Sequence, residues 1–173
     1  MAKDDATLVE ETVAAVQAAT NLDEALHGVV RLLRPRFDLW HASFCAQPSE
    51  EPSIRILASW SLAESVFDPG TEINATISEI VPRVLDELRE GNPTAFLVGE
   101  DRESIVDHLL EKQGVSSVVT VPIHDDGQLL LFLALGASTG EAFHTAGRRF
   151  FTELSLGIGE TVLRLVSPSA PGR

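Results

Sequence analysis

Apolar side chains recur along this chain with two periods, and the switching between them predicts most of the secondary structure. Leu8, Val9, Val13 and Val16 fall at helical spacing, with Thr7 and Glu10 placed as a capping box, which predicts an opening helix over 7–19. Asn21 starts a second helix whose stripe is Leu22, Leu26, Val29, Val30 and Leu33. Asp23 and Glu24 stand in its first turn and Arg31, Arg34 and Arg36 near its end, the charge order that a helix dipole favours. Pro35 is expected to stop it. Strand-like sequence follows at 39–46 and 54–60, on either side of a polar loop containing Pro48 and Pro52. Asp68-Pro69-Gly70 turns the chain into a short extended piece at 71–73. Thr76 and Glu79 form a further capping box before Ile77, Ile80, Val81, Val84, Leu85 and Leu88, with Pro82 predicting a kink or a later helix start. Beyond Gly91-Asn92-Pro93, residues 94–98 read as a short strand. Asp101 then caps a helix carrying Ile105, Val106, Leu109 and Leu110, closed by Gly114.

The most legible stretch comes next. Residues 115–124 and 129–137 flank Asp125-Asp126-Gly127-Gln128, a hairpin signal with a turn glycine. Leu129, Leu131, Leu133 and Leu135 point one way, and Leu130, Phe132 and Ala134 the other. A strand apolar on both faces has to be covered on both, so the sheet is predicted to lie between helices. A long helix over 143–166 closes the fold through Phe143, Phe150, Phe151, Leu154, Ile158, Val162 and Leu165. Gly157 and Gly159 inside it each cost about 1 kcal/mol relative to Ala, the mark of a close backbone approach or of a local bend. Residues 167–173 have the composition of a linker.

A length of 173 residues predicts one domain with a full core. With 44% apolar and 23% charged residues the chain is not disordered along its length. The net charge of −13 repels phosphate backbones and anionic lipid, which argues against direct contact with nucleic acid or membrane. No signal-peptide pattern opens the sequence, and the apolar run 129–136 is too short to cross a bilayer. Cys45, the one cysteine, closes no intrachain disulfide, consistent with a reducing cytosol. A cytoplasmic location is the expectation.

Three segments resemble a GAF domain: Ile56-Leu57-Ala58-Ser59-Trp60 with Pro69-Gly70 beyond it; Gly91-Asn92-Pro93-Thr94-Ala95-Phe96; and Gly114 to Ile123 with Asp126-Gly127, a long apolar strand and Phe143. The resemblance implies an α+β fold, an antiparallel sheet of about six strands sandwiched between helices, with the N- and C-terminal helices packed together on one face. It divides the chain into an N-terminal helix at 1–20 with a dimerising role, a GAF-like domain at 21–166 and a tail at 167–173. A PAS-like fold is the structural alternative. The implied function is a cytoplasmic sensory domain that binds a small molecule between sheet and lid helices and regulates a partner or output domain through a dimer interface. A ligand-free dimerisation module is one alternative. A small-molecule-modifying enzyme on the same fold is another, disfavoured because free methionine sulfoxide reduction needs a second thiol to resolve a sulfenic acid. Asn21, Asp23 and Glu24 echo a cyclic-nucleotide motif, but helix capping accounts for them. Cys45 sits on the first strand, away from the region where bilin-binding members attach their chromophore.

The residues themselves offer little chemistry. None of the five histidines, His27, His41, His108, His124 and His144, stands at metal-ligand spacing to another ligand, and no nucleophile elbow or phosphate loop appears. No cofactor is indicated. Trp60 and Phe67, with His41 and His108, are the candidate ligand-contacting residues; the two aromatics would serve equally as core filler. A cavity of roughly 300 Å³ is expected between sheet and lid. Val9, Val13, Leu163 and Val166 lack an obvious internal home and are the candidate homodimer interface.

Overall fold

The computed structural model describes residues 4–46, 53–63, 68–74, 80–99 and 105–166. In chain order these form α1 (Asp5–Ala18), α2 (Leu22–Phe37), β1 (Leu39–Ala46), β2 (Ser53–Ser61), β3 (Glu72–Asn74), α3 (Ile80–Arg89), β4 (Thr94–Leu97), α4 (Ile105–Lys112), β5 (Ser117–Asp125), β6 (Gln128–Ala137) and α5 (Gly147–Val166). The strands make one antiparallel sheet in the order β3-β2-β1-β6-β5-β4. The expected sandwich is present: α1, α2 and α5 cover one face, and α3 and α4 the other.

Local chemistry sets the helix ends, and two of them differ from the sequence reading. The Thr7 amide donates to Asp4 Oδ1 at 2.7 Å, so Asp4, not Thr7, caps α1. Asn21 caps α2 as expected, accepting from the Glu24 amide at 2.9 Å. Pro35 does not stop α2, which runs on to Phe37. Arg31, whose carbonyl loses its helical partner at Pro35, is exposed, so water can take that bond. The stop is Asp38, in the left-handed conformation at φ 54°, whose amide donates to the Arg34 carbonyl at 2.8 Å. Pro82 stands in the first turn of α3, where a missing amide costs nothing; the capping box expected at Thr76 and Glu79 and the cap expected at Asp101 lie outside the described residues. Helix α5 begins at Gly147, later than Phe143.

The layer of α1, α2 and α5 is densely packed. Phe37 meets Phe143, Phe150 and Phe151 with ring centroids 5.4, 5.4 and 5.7 Å away, and Leu33, Phe44, Leu133, Leu135, Leu154 and Ile158 are fully buried around them. Gly157 is where α5 meets α1, since a Cβ there would overlap Val13 Cγ2. This contact also supplies the internal home that Val13 lacks in the sequence. Val9 is buried, and Leu163 and Val166 are half-buried against the same core. All four residues thus pack within the chain, and the parts of Val13, Leu163 and Val166 still open to solvent are what remains for the expected dimer contact.

The contact predicts a change of sign. Gly157→Ala gains up to about 1 kcal/mol of helix propensity but forces α1 away, at a cost of about 1–3 kcal/mol. Urea denaturation should show Gly157→Ala destabilising the wild type but stabilising a Val13→Ala background, where the next Val13 atom is its Cβ at 3.5 Å. Destabilisation of equal size in both backgrounds would refute the contact.

Candidate functional site

On the lid face, β1 presents His41, Ser43 and Cys45, the alternate residues of one strand. With Ile54 and Ile56 from β2, Thr120 from β5, Phe132 and Ala134 from β6, and Leu85 and Leu110 from the lid helices, they enclose a cavity of about 70 Å³. The cavity lies where expected but falls well below the expected size.

Its floor carries a row of hydrogen bonds. Ser61 Oγ and His41 Nδ1 are 3.1 Å apart, His41 Nε2 and Ser43 Oγ 3.1 Å, and Ser43 Oγ and Cys45 Sγ 3.3 Å. Across the cavity, Thr120 Oγ1 donates to the Thr94 carbonyl at 3.0 Å, fastening β5 to β4. Buried polar groups are tolerated only with such partners, and here they are used on one another. Burial pushes the His41 imidazole down to about 4 and the Cys45 thiol up to about 12, the latter partly offset by the Ser43 hydrogen bond. At neutral pH both are uncharged. A thiol so held is a poor nucleophile, and an imidazole so held a weak base.

The lid is tied down by polar contacts at its ends. Asp107 of α4 is buried and its Oδ2 accepts from the Gly99 amide at 2.8 Å, just past β4. His124 Nε2 lies 2.7 Å from the Leu88 carbonyl, so its N–H donates to the last turn of α3. His124 is therefore half-buried in a structural contact, where its place beside the hairpin turn leads one to expect it to face solvent.

Of the four residues expected at the site, His41 lines the cavity and His108 is exposed on α4; Phe67 lies outside the described residues. Trp60 is corrected: it packs with the α1, α2 and α5 layer, its ring under the Arg34 guanidinium at 5.5 Å. The reason is a β-bulge. Phe44 pairs with Ala58 but Cys45 with Ile56, which leaves Leu57 as an extra residue. Strand parity flips there, so Ile54 and Ile56 face the lid while Ala58 and Trp60 face away. Ser43, Cys45 and Thr120 are the residues that sequence reasoning missed. Their signal was the i, i+2 spacing of His41, Ser43 and Cys45 in an otherwise apolar strand. Cys45 thus stands at the cavity wall, contrary to its expected place away from the pocket. Among the described residues no cluster of three His, Cys, Asp or Glu could hold a metal ion, and no helix is long and apolar enough to cross a membrane.

The His41 shift predicts a pH dependence. The unfolded chain takes up a proton near pH 6.5, the folded protein only near 4, so stability falls as pH drops through that window, by about 3 kcal/mol in all. Urea denaturation between pH 7 and 4.5 should show a shallower fall for His41→Gln than for wild type. Equal slopes would place His41 in contact with water in the folded state.

A family model described as GAF domain matches residues 19–162. The GAF domain from a phosphoenolpyruvate-protein phosphotransferase of Coxiella burnetii superposes with a TM-score of 0.72 at 17% identity, covering 96% of each chain. A free methionine-R-sulfoxide reductase from Neisseria meningitidis, in complex with its substrate, gives 0.65 at 14% identity over 97% of this chain and 96% of that one. The chromophore-binding domain of Stigmatella aurantiaca bacteriophytochrome gives 0.63 at 14% identity over 94% of this chain, which spans 60% of that structure. A sequence search of curated proteins found no match. With the family match over most of its length and the sheet, lid and helical layer all in place, this chain belongs to the GAF domain family.

Proposed function

We propose that this chain is a cytoplasmic sensory domain that admits a small molecule to the cavity between the sheet and α3–α4 and passes its occupancy to a partner or output domain. One observation carries the reading. The cavity is lined by residues of all six strands on one side and of α3 and α4 on the other, with its polar groups already paired. A void in a core costs about 24 cal/mol per Å³, so 70 Å³ left empty costs about 1.7 kcal/mol, which a guest would recover. Catalysis is no part of the proposal. The one cysteine of the chain is buried with a raised pKa, and burial lowers the pKa of His41, which leaves it a weak base.

The second reading is a ligand-free module, favoured by the cavity's small volume. Typical ligand pockets run to roughly 300 Å³ or more. Xenon separates the two. NMR of the methyl-labelled domain under xenon pressure should show saturable shifts at Ile56, Val118 and Ala134. Ala134→Val, which adds methyl groups between Ser43 and Thr120, should remove them while the remaining spectrum persists. Shifts confined to the other layer, or none at all, would favour the ligand-free module.

A further inference from the structure

We infer that the cavity selects an uncharged, hydrocarbon-like molecule of about three to four heavy atoms, by offering a guest nothing but carbon. The inference rests on the cavity being the site proposed above and adds the chemistry of its occupant. Among the described residues no Lys, Arg, Asp or Glu lines the wall. Two ionisable groups do, His41 and Cys45, and burial keeps both neutral. The polar atoms there are engaged elsewhere: His41 with Ser61 and Ser43, Cys45 with Ser43, and Thr120 with the Thr94 carbonyl. What remains open to a guest is almost wholly apolar surface, from Ile54, Ile56, Val118, Phe132 and Leu110 among others.

Selection follows from desolvation. A guest carbonyl would surrender its bonds to water and find no donor in exchange, and a carboxylate would in addition bring an unpaired charge into an apolar enclosure. Size sets the second limit. An apolar cavity of about 150 Å³ takes benzene, so one of about 70 Å³ has room for roughly half as many heavy atoms. The row on the cavity floor thereby acquires a role. It keeps five polar atoms, from Ser61 to Cys45, turned toward one another and away from the space they border.

Three molecules of nearly one shape test this: 2-methylpropene, acetone and acetate differ only in whether the branched carbon carries a methylene, a carbonyl oxygen or a charged carboxylate pair. Each is titrated into the methyl-labelled domain, with xenon as the reporter of an open cavity. The expected result is a saturable shift of the Ile56, Val118 and Ala134 methyls with 2-methylpropene, binding weaker by about tenfold or more for acetone, and no saturable shift for acetate. Acetone or acetate binding as tightly as 2-methylpropene, with xenon still entering, would overturn the inference and leave the site reading intact. Xenon entering while 2-methylpropene does not would overturn the size assignment, and the inference with it. Exclusion of all four would overturn the site reading, and this inference along with it.

Discussion

Everything in this fold follows from a sheet whose central strands are apolar on both faces. Leu131, Leu133 and Leu135 of β6 point to one side and Phe132 and Ala134 to the other; β5 is likewise buried on both sides, and β1 buries Leu39, Ala42 and Phe44 on one side and His41, Ser43 and Cys45 on the other. Neither face can be left to water, so the chain must supply two covers. It does so unequally. The helices at the two ends of the chain, α1, α2 and α5, form a thick layer with an aromatic cluster and a glycine-mediated helix contact. The other cover is two short helices, α3 and α4, over a smaller cluster that contains the cavity. One face is built for stability. The other, with the smaller cluster, is the side to which the proposal assigns a guest.

Much of this was legible in the sequence, because the deciding signals are local or periodic. The stripe of α2, its Asn21 cap, the hairpin at Asp126-Gly127 and the doubly apolar β6 each follow from a few neighbouring residues. Gly157 was readable as a close approach, although its partner Val13 was not, since that contact joins opposite ends of the chain. The misreadings have physical causes too. Pro35 failed as a terminator because the carbonyl it orphans is at the surface, and Asp38 in the left-handed conformation ended the helix in its place. The internal contacts of Val9, Val13, Leu163 and Val166 are not legible, because a sequence cannot show that α1 lies along α5.

The candidate site was harder to read for a single reason, the bulge at Leu57. One extra residue in β2 reverses which side chains face the lid, so the most conspicuous aromatic of the chain, Trp60, went to the wrong layer. No local sequence signal marks that bulge; it is fixed by pairing with β1. Ser43, Cys45 and Thr120 of the cavity wall are individually unremarkable and become a site only when two strands, β1 and β5, bring them together. Their arrangement is quiet chemically. The pKa of the thiol is raised, that of the imidazole lowered, and the hydroxyls are committed to partners.

A guest proposed to enter between the sheet and α3–α4 requires that side to open more readily than the rest of the fold. Native-state hydrogen exchange measures this directly. The amides of α3 and α4 should exchange through an opening at least about 2 kcal/mol easier than global unfolding, while those of β1, β6 and α5 exchange only with the whole. Lid amides protected as strongly as the central strands would contradict the account.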